Sequence, residues 1–248
     1  MRRVIWILGL GGLAAVCGGP AAAAGGAGTE WKARSEISYV QTNGNTDTQT
    51  FAGKIEASAD ATPNRYFANA KGLYGATGGD ITSSRWFAGA RYERALTDRL
   101  FAFAAADYLK DTFSGYDMRV TVGPGAGYDF LKTDVHTLKG LLSVLYVQED
   151  LHAVPEPADD TESYAAGKAE GNYTWQITAN LKFKQNADVA VSFDDTDVYF
   201  ANSETALEAK LSDKLSLGLS YLVNYQNRPA GDAKYTDTTF LTSLVIDF

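Results

Sequence analysis

Cysteine is nearly missing from this chain of 248 residues: one copy, Cys17, near the N-terminus. That excludes a disulfide scaffold, and with only 2 His it leaves no set of soft ligands, so no metal, cofactor or thiol chemistry is expected. A basic excess is lacking too. The formal charge is -8, which argues against nucleic acid and anionic headgroups, because both need a basic face. After the first residues no apolar run is long enough for a membrane helix.

The N-terminus carries Arg2 and Arg3, an apolar run from Val4 to Val16, Pro20, and then Ala21 to Ala24. That order of positive, apolar and small residues predicts a signal peptide over residues 1–24, exported by the general secretory route. Removing Arg2 and Arg3 with no acid would take the charge from -8 to -10. Val16 before Cys17 is branched where a lipoprotein signal wants a small residue. A twin-arginine reading of Arg2 and Arg3 conflicts with a membrane-bound barrel, because that route carries folded cargo.

Residues 25–248 read as one all-β domain with period-2 alternation. Val120, Val122, Pro124, Ala126, Tyr128 and Phe130 oppose Arg119, Thr121, Gly123, Gly125, Gly127 and Asp129. Leu215 to Tyr225, Tyr199 to Leu211, Trp86 to Tyr92 and Tyr66 to Tyr74 alternate likewise, with the charges on one parity. The apolar parity is rich in Ala and Gly and ends in Tyr, Trp or Phe, as lipid flanked by aromatic girdles requires and a soluble sandwich core does not. The last strand places Phe240, Leu244, Ile246 and Phe248 on one face. Those four are expected to form the signal read by the barrel assembly machinery.

Turn signals near Pro63, Asp98, Asp134, Thr178 and Asp213 recur at intervals of 35, 36, 44 and 35 residues, which divides the chain into six hairpins. The expectation is a transmembrane antiparallel up-and-down β-barrel of 12 strands in the outer membrane of a Gram-negative bacterium, with lipid and lipopolysaccharide around it. Longer external loops are expected near Asn43 to Thr46, Thr77 to Asp80, Ser114 to Asp117, Leu151 to Glu162, Asp194 to Asp197 and Arg228 to Lys234. Pro124 should mark a bulge or a break in pairing. The register from Leu100 to Ala106 stays open, since both faces are apolar.

Several motifs carry a family likeness. They are Trp31 followed by Asn43-Gly44-Asn45-Thr46, Arg91-Tyr92 before Asp98-Arg99-Leu100-Phe101, the run Gly123-Pro124-Gly125-Ala126-Gly127-Tyr128, and Pro229-Ala230-Gly231-Asp232 before the terminal strand. Together they resemble the YdiY-like family of salt-induced outer-membrane proteins built on a domain of unknown function. The resemblance implies a barrel and a stress-related context, not a reaction.

Candidate chemistry is sparse. His152 beside Asp150 in the longest loop could serve an outer-membrane hydrolase or protease, but no serine or second carboxylate stands at a useful spacing, so no catalytic residue is assigned and a non-enzyme is expected. Asp194, Asp195 and Asp197 lack the spaced ligands of a calcium loop. His136 is expected to sit solvated in a turn. Alternate glycines from Gly123 to Gly127 read as room inside the barrel.

The inward face is the remaining candidate site. Lys71, Arg85, Arg91, Glu93, Asp107, Arg119, Asp129, Lys168, Glu170, Glu204, Glu208 and Lys210 are expected to line it, with Lys54, Glu56, Lys139, Lys182, Lys184 and Asp188. Phe67, Phe87, Phe101, Phe103, Leu141 and Leu145 share that face. Charges of both signs beside large apolar groups predict a narrow or closed polar lumen passing small solutes or ions at most, porin-like in outline; a closed barrel acting through its loops is the alternative.

Overall fold

The structure, a computed structural model, describes residues 29–42, 48–111, 116–151, 161–229 and 234–248. The expected signal segment, Cys17, and the loop holding His152 lie outside those residues. Twelve strands follow one another: β1 (Glu30–Thr42), β2 (Thr48–Ala61), β3 (Asn64–Thr77), β4 (Asp80–Ala95), β5 (Leu100–Asp111), β6 (Tyr116–Lys132), β7 (His136–Leu151), β8 (Thr161–Thr178), β9 (Leu181–Ser192), β10 (Tyr199–Lys210), β11 (Leu215–Gln226) and β12 (Thr236–Asp247). Each pairs antiparallel with its neighbours in sequence, and β1 pairs with β12 to close the barrel. The expected twelve-stranded up-and-down architecture is the one observed.

Alternation decides which way each side chain points. On β7, Leu141, Leu145, Val147 and Glu149 are buried inside, while Leu142, Val144 and Tyr146 are exposed outside, Leu142 at 67%. The open register of β5 resolves the same way: Phe101, Phe103 and Asp111 are buried, Leu100 and Tyr108 exposed. The reason lies on β6. A Cβ on Gly125 or Gly127 would run into the Phe103 or Phe101 ring, so the room those glycines were expected to leave is filled by the two rings. Phe101, Phe103 and Leu141 form a small apolar cluster inside the wall.

At Pro124 the β6–β7 ladder passes from Val122↔Tyr146 to Gly125↔Ser143 without a change of register. The proline therefore marks a gap and not a bulge, consistent with its missing N–H. Register shifts occur elsewhere on that ladder, between Tyr116 and Met118 and between Asp129 and Leu131.

Two bands of aromatic side chains ring the outside. Near the Pro63 end, Tyr66 packs on Tyr92 at 5.4 Å between ring centroids and Tyr128 on Phe130 at 5.1 Å; Tyr92 also donates to Asn64 Oδ1 at 2.7 Å. His136 belongs to this band, a correction to the solvated turn expected for it. Its ring stacks on Tyr173 and Trp175 at 6.0 and 5.9 Å, and Nδ1 lies 2.9 Å from the Tyr173 hydroxyl. Such pairs contribute about 0.5–1.5 kcal/mol each beyond simple burial. At the other end Tyr39, Phe51, Tyr74, Trp86, Tyr108 and Phe240 are exposed.

One connection is shorter than expected. The β3–β4 connection was placed among the longer set, yet it is the two-residue turn Gly78-Gly79, with φ of +61° and +97°. Positive φ at both central residues is what a tight hairpin of this twist needs, and glycine supplies it without a Cβ clash.

Candidate functional site in the lumen

Side chains from all twelve strands converge on an interior cavity of about 810 Å³. Its charged lining is held in place by ion pairs, several reaching between strands far apart on the wall.

The first network centres on two glutamates of β10. Arg34 grips Glu208 with both terminal nitrogens and also reaches Glu36 at 3.3 Å and Asp247 at 3.5 Å. Lys184 and Lys182 approach Glu208 at 3.0 and 3.8 Å. Lys54 lies 3.1 Å from Glu56, 3.7 Å from Glu36 and 3.7 Å from Glu204, and Lys71 lies 3.4 Å from Glu204. β2 and β3 are separated from β10 by β1, β12 and β11 along the wall, so the Lys54–Glu204 and Lys71–Glu204 contacts cross the lumen. Five cations (Arg34, Lys54, Lys71, Lys182, Lys184) meet five carboxylates (Glu36, Glu56, Glu204, Glu208, Asp247), and the network is neutral.

The second network surrounds Glu93, whose side chain is fully buried. Arg65, Arg91 and Lys139 approach its carboxylate at 2.8, 3.0 and 3.8 Å. Three cations are needed there because a buried carboxylate without partners would cost several kcal/mol (roughly, per ion). Arg91 Nη1 then donates to Glu170 Oε1 at 3.2 Å, from β4 to β8. Lys168 continues the chain to Glu170 and Asp188 at 3.6 and 3.9 Å.

Phenylalanine faces brace these cations. Arg91 lies over Phe67 at 5.1 Å, Arg65 over Phe101 at 5.2 Å, Lys139 over Phe101 at 4.9 Å and Lys71 over Phe87 at 5.8 Å. Farther toward the long-loop end, Arg85 pairs closely with Asp111 and Arg119 with Glu149. Tyr164 donates to Glu149 at 3.0 Å, and Arg119 lies 4.4 Å over Phe200 on the facing wall.

Of the candidate lining residues, Lys71, Glu204 and Glu208 meet in the first network and Arg91, Glu93, Lys168 and Glu170 in the second. Asp107 accepts from Thr121 at 3.4 Å, and buried Asp129 stands opposite Lys139 in the β6–β7 ladder. Lys210 turns to the rim, where its ammonium donates to Asp213 at 2.8 Å and holds that exposed carboxyl below its usual range. Arg34, Glu36, Arg65, Asp111, Glu149 and Asp247 complete the site and were not among the candidates. The signal was present: Arg34 and Glu36 share the parity opposite Trp31, Ile37 and Tyr39, and Glu149 shares that of Leu145 and Val147.

At the long-loop end, Arg228 reaches Asp195 at 2.7 Å and Asp197 at 3.5 Å. The acidic cluster considered for calcium is thus engaged by a guanidinium. Asp150 accepts from Thr161 at 3.1 Å, while its neighbour His152 lies outside the described residues.

Residues 35–248 match a family model described as "Protein of unknown function, DUF481". The chain is 31% identical over 166 residues to "Uncharacterized protein YdiY" of Escherichia coli (strain K12), over 66% of this chain and 62% of that relative. It thus spans less than two thirds of the relative's length. Among solved structures it is similar to the NanC porin, at 11% identity and a TM-score of 0.48 over 88% of this chain and 98% of that one. It is also similar to the translocator domain of the autotransporter NalP from Neisseria meningitidis, at 11% and 0.47 over 90% and 89%. An anion-selective porin from Comamonas acidovorans matches at 9% and 0.43 over 89% and 99%.

Proposed function

We propose, from the premise that the chain belongs to the DUF481 family of proteins of unknown function, that it is an integral outer-membrane barrel whose lumen is a narrow polar passage for ions and small solutes. A closed sheet leaves no unpaired edge over most of its wall, and an apolar exterior between two aromatic bands suits a bilayer. The ends of the short Pro63-type turns then face the periplasm. The outward terminal residues Phe240, Leu244, Ile246 and Phe248 suit capture by the assembly machinery, and lipopolysaccharide would surround the external band.

The observation that carries the passage is a cavity lined by polar groups from every strand and crossed by Lys71–Glu204 and Arg91–Glu170. Such bars throttle flow without filling the cross-section. Their charges are balanced, so strong selectivity for one sign is not expected. Conductance of the refolded protein in planar bilayers tests this: small unitary steps are expected from the parent and larger ones from a variant carrying both Lys71→Gln and Arg91→Gln. Silence from both would leave a closed barrel acting through its loops. No residue is given a catalytic role. The salt-associated context implied by the family resemblance is part of the proposal, and protein abundance before and after a salt upshift is its measurement.

A further inference from the structure

Side-chain amides form a continuous line on the inner wall. Asn172 stands opposite Asn186 and Asn202 opposite Asn224 in their ladders. Glu204 is the β10 residue opposite Asn186, so Asn202 sits diagonally beside that amide, and Gln226 follows Asn224 on the same face of β11. Directly opposite side chains on one face lie about 5 Å apart and diagonal ones about 7–8 Å. The line therefore steps across β8, β9, β10 and β11 without a break. It begins six positions before the short-turn end of β8 at Thr178 and stops at the last residue of β11, at the long-loop mouth. All five residues line the cavity.

Unused hydrogen-bonding capacity sets this line apart from the charged part of the lumen. Every cation of the two central networks already has a carboxylate within 3.8 Å. By contrast the side chains of Asn186 and Asn224, both half-buried, make no hydrogen bond among the described residues; only the backbone carbonyl of Asn186 is engaged, by Gln185 at 3.1 Å. Asn172 and Asn202 each use one N–H, on Glu170 at 2.8 Å and on Asp188 at 3.0 Å, and keep their carbonyl oxygens. An amide offers donors and an acceptor in one plane. A row of amides suits a solute that both donates and accepts at each carbon, as a chain of hydroxyls does. An ionic solute fares worse, because a charge entering here displaces one partner of an ion pair and strands the other. Leu222 and Leu241 line the cavity beside Asn224 and give a carbon skeleton a surface to lie on.

We infer that the amide line is a recognition track for uncharged polyhydroxylated solutes, sugars and sugar alcohols, and that these pass the lumen in preference to ions of the same size. The inference rests on the proposed passage. Solute hydroxyls donate to the amide carbonyls and accept from the amide N–H groups, stepping from Asn172 past Asn186 and Asn202 to Asn224 while the ion pairs stay closed.

Sorbitol, gluconate and N-methyl-D-glucamine test it, being polyols of similar size that are neutral, anionic and cationic. Uptake into phosphatidylcholine vesicles carrying the full chain should be saturable for sorbitol and at least fivefold faster than for either ion at equal concentration. Asn186→Leu combined with Asn224→Leu removes two amides that hold no other side chain, so sorbitol entry should fall at least fivefold and lose its saturation. Heat-modifiable gel mobility reports whether that variant folds, and the comparison of the three probes on the parent is decisive without it. Either ion entering as fast as sorbitol overturns the inference. So does sorbitol entry that rises linearly with concentration, or a folded double variant that takes up sorbitol like the parent. Saturation-transfer NMR of sorbitol with the refolded protein in micelles separates this inference from the passage itself. Potassium chloride steps in bilayers without saturable sorbitol binding would keep the passage and overturn the track. Sorbitol binding that is lost in the double variant, with no such steps, would keep the track and overturn the passage.

Discussion

Arg91 Nη1 stands 3.2 Å from Glu170 Oε1, joining β4 to β8 although β5, β6 and β7 lie between them on the wall. The same guanidinium also meets Glu93 at 3.0 Å and lies over Phe67. One side chain thus ties a buried carboxylate to the middle of the lumen. Arg91→Gln should remove the bar and leave Glu170 held from its own strand, by Lys168 and by Asn172, which donates to it at 2.8 Å, so unitary conductance should rise. Arg91→Lys, which keeps the charge without the planar fork, should restore most of the narrowing. Equal conductance in parent and Arg91→Gln would show that ions avoid this part of the lumen.

Glu93 is the negative centre of three cations. Replacing it with Gln preserves shape but takes the shared carboxylate from Arg65, Arg91 and Lys139, leaving Arg91 its contact with Glu170 and the other two cations crowded beside it. Breaking a buried ionic arrangement by removing one partner costs about 3–5 kcal/mol. Glu93→Gln should lower the urea midpoint of the vesicle-inserted barrel accordingly. Adding Lys139→Met should recover part of the loss, because it removes one of the stranded charges. Two losses that simply add would rule out direct coupling between these residues.

The packing of β5 against β6 predicts a size rule. A Cβ on Gly127 meets the end of the Phe101 ring, a side chain, whereas one on Gly123 meets the backbone carbonyl of Val144. Gly127→Ala should therefore be destabilising and partly rescued by Phe101→Leu. Gly123→Ala should be destabilising with no side-chain partner able to rescue it, since only movement of β7 relieves the clash. The fraction of heat-modifiable barrel after refolding measures both.

These contrasts also explain what was legible in the residues and what was not. Where one parity is apolar and the other polar, as on β6, β10 and β11, alternation alone places the strand, its partner turns and its inward charges. β5 defeats that logic because both faces of Leu100 to Ala106 are apolar; its orientation depends on space left by glycines in another strand. The inward position of Arg34 and Glu36 was readable from Trp31, Ile37 and Tyr39. The joining of Arg34 to Glu208, 174 residues further along the chain, was not, because pairing across a lumen depends on closure. His136 looked like a turn residue, and only its ladder partner Trp175 puts it in an aromatic stack. The β1–β12 seam, which pairs from Arg34↔Asp247 to Ser38↔Ser243, has no local signature at all.

Leu142 distinguishes a membrane wall from a water-facing one. It projects from the outside of β7 at 67% exposure, between Ala126 and Ala169 on the adjoining strands. On a soluble barrel an exposed Leu→Arg change away from any special contact would alter stability by no more than about 0.5 kcal/mol. On a lipid-facing wall near mid-depth the same change costs about 2–4 kcal/mol, because the guanidinium must be stripped of water or drag water inward. Leu142→Arg should therefore lower the unfolding midpoint in vesicles by several-tenths molar urea or more. Leu131→Arg, exposed near the β6–β7 turn, should be far milder, since it lies at the interface where the side chain can reach water. A Leu142→Arg protein as stable as the parent would place this face in water and remove the basis for the membrane assignment.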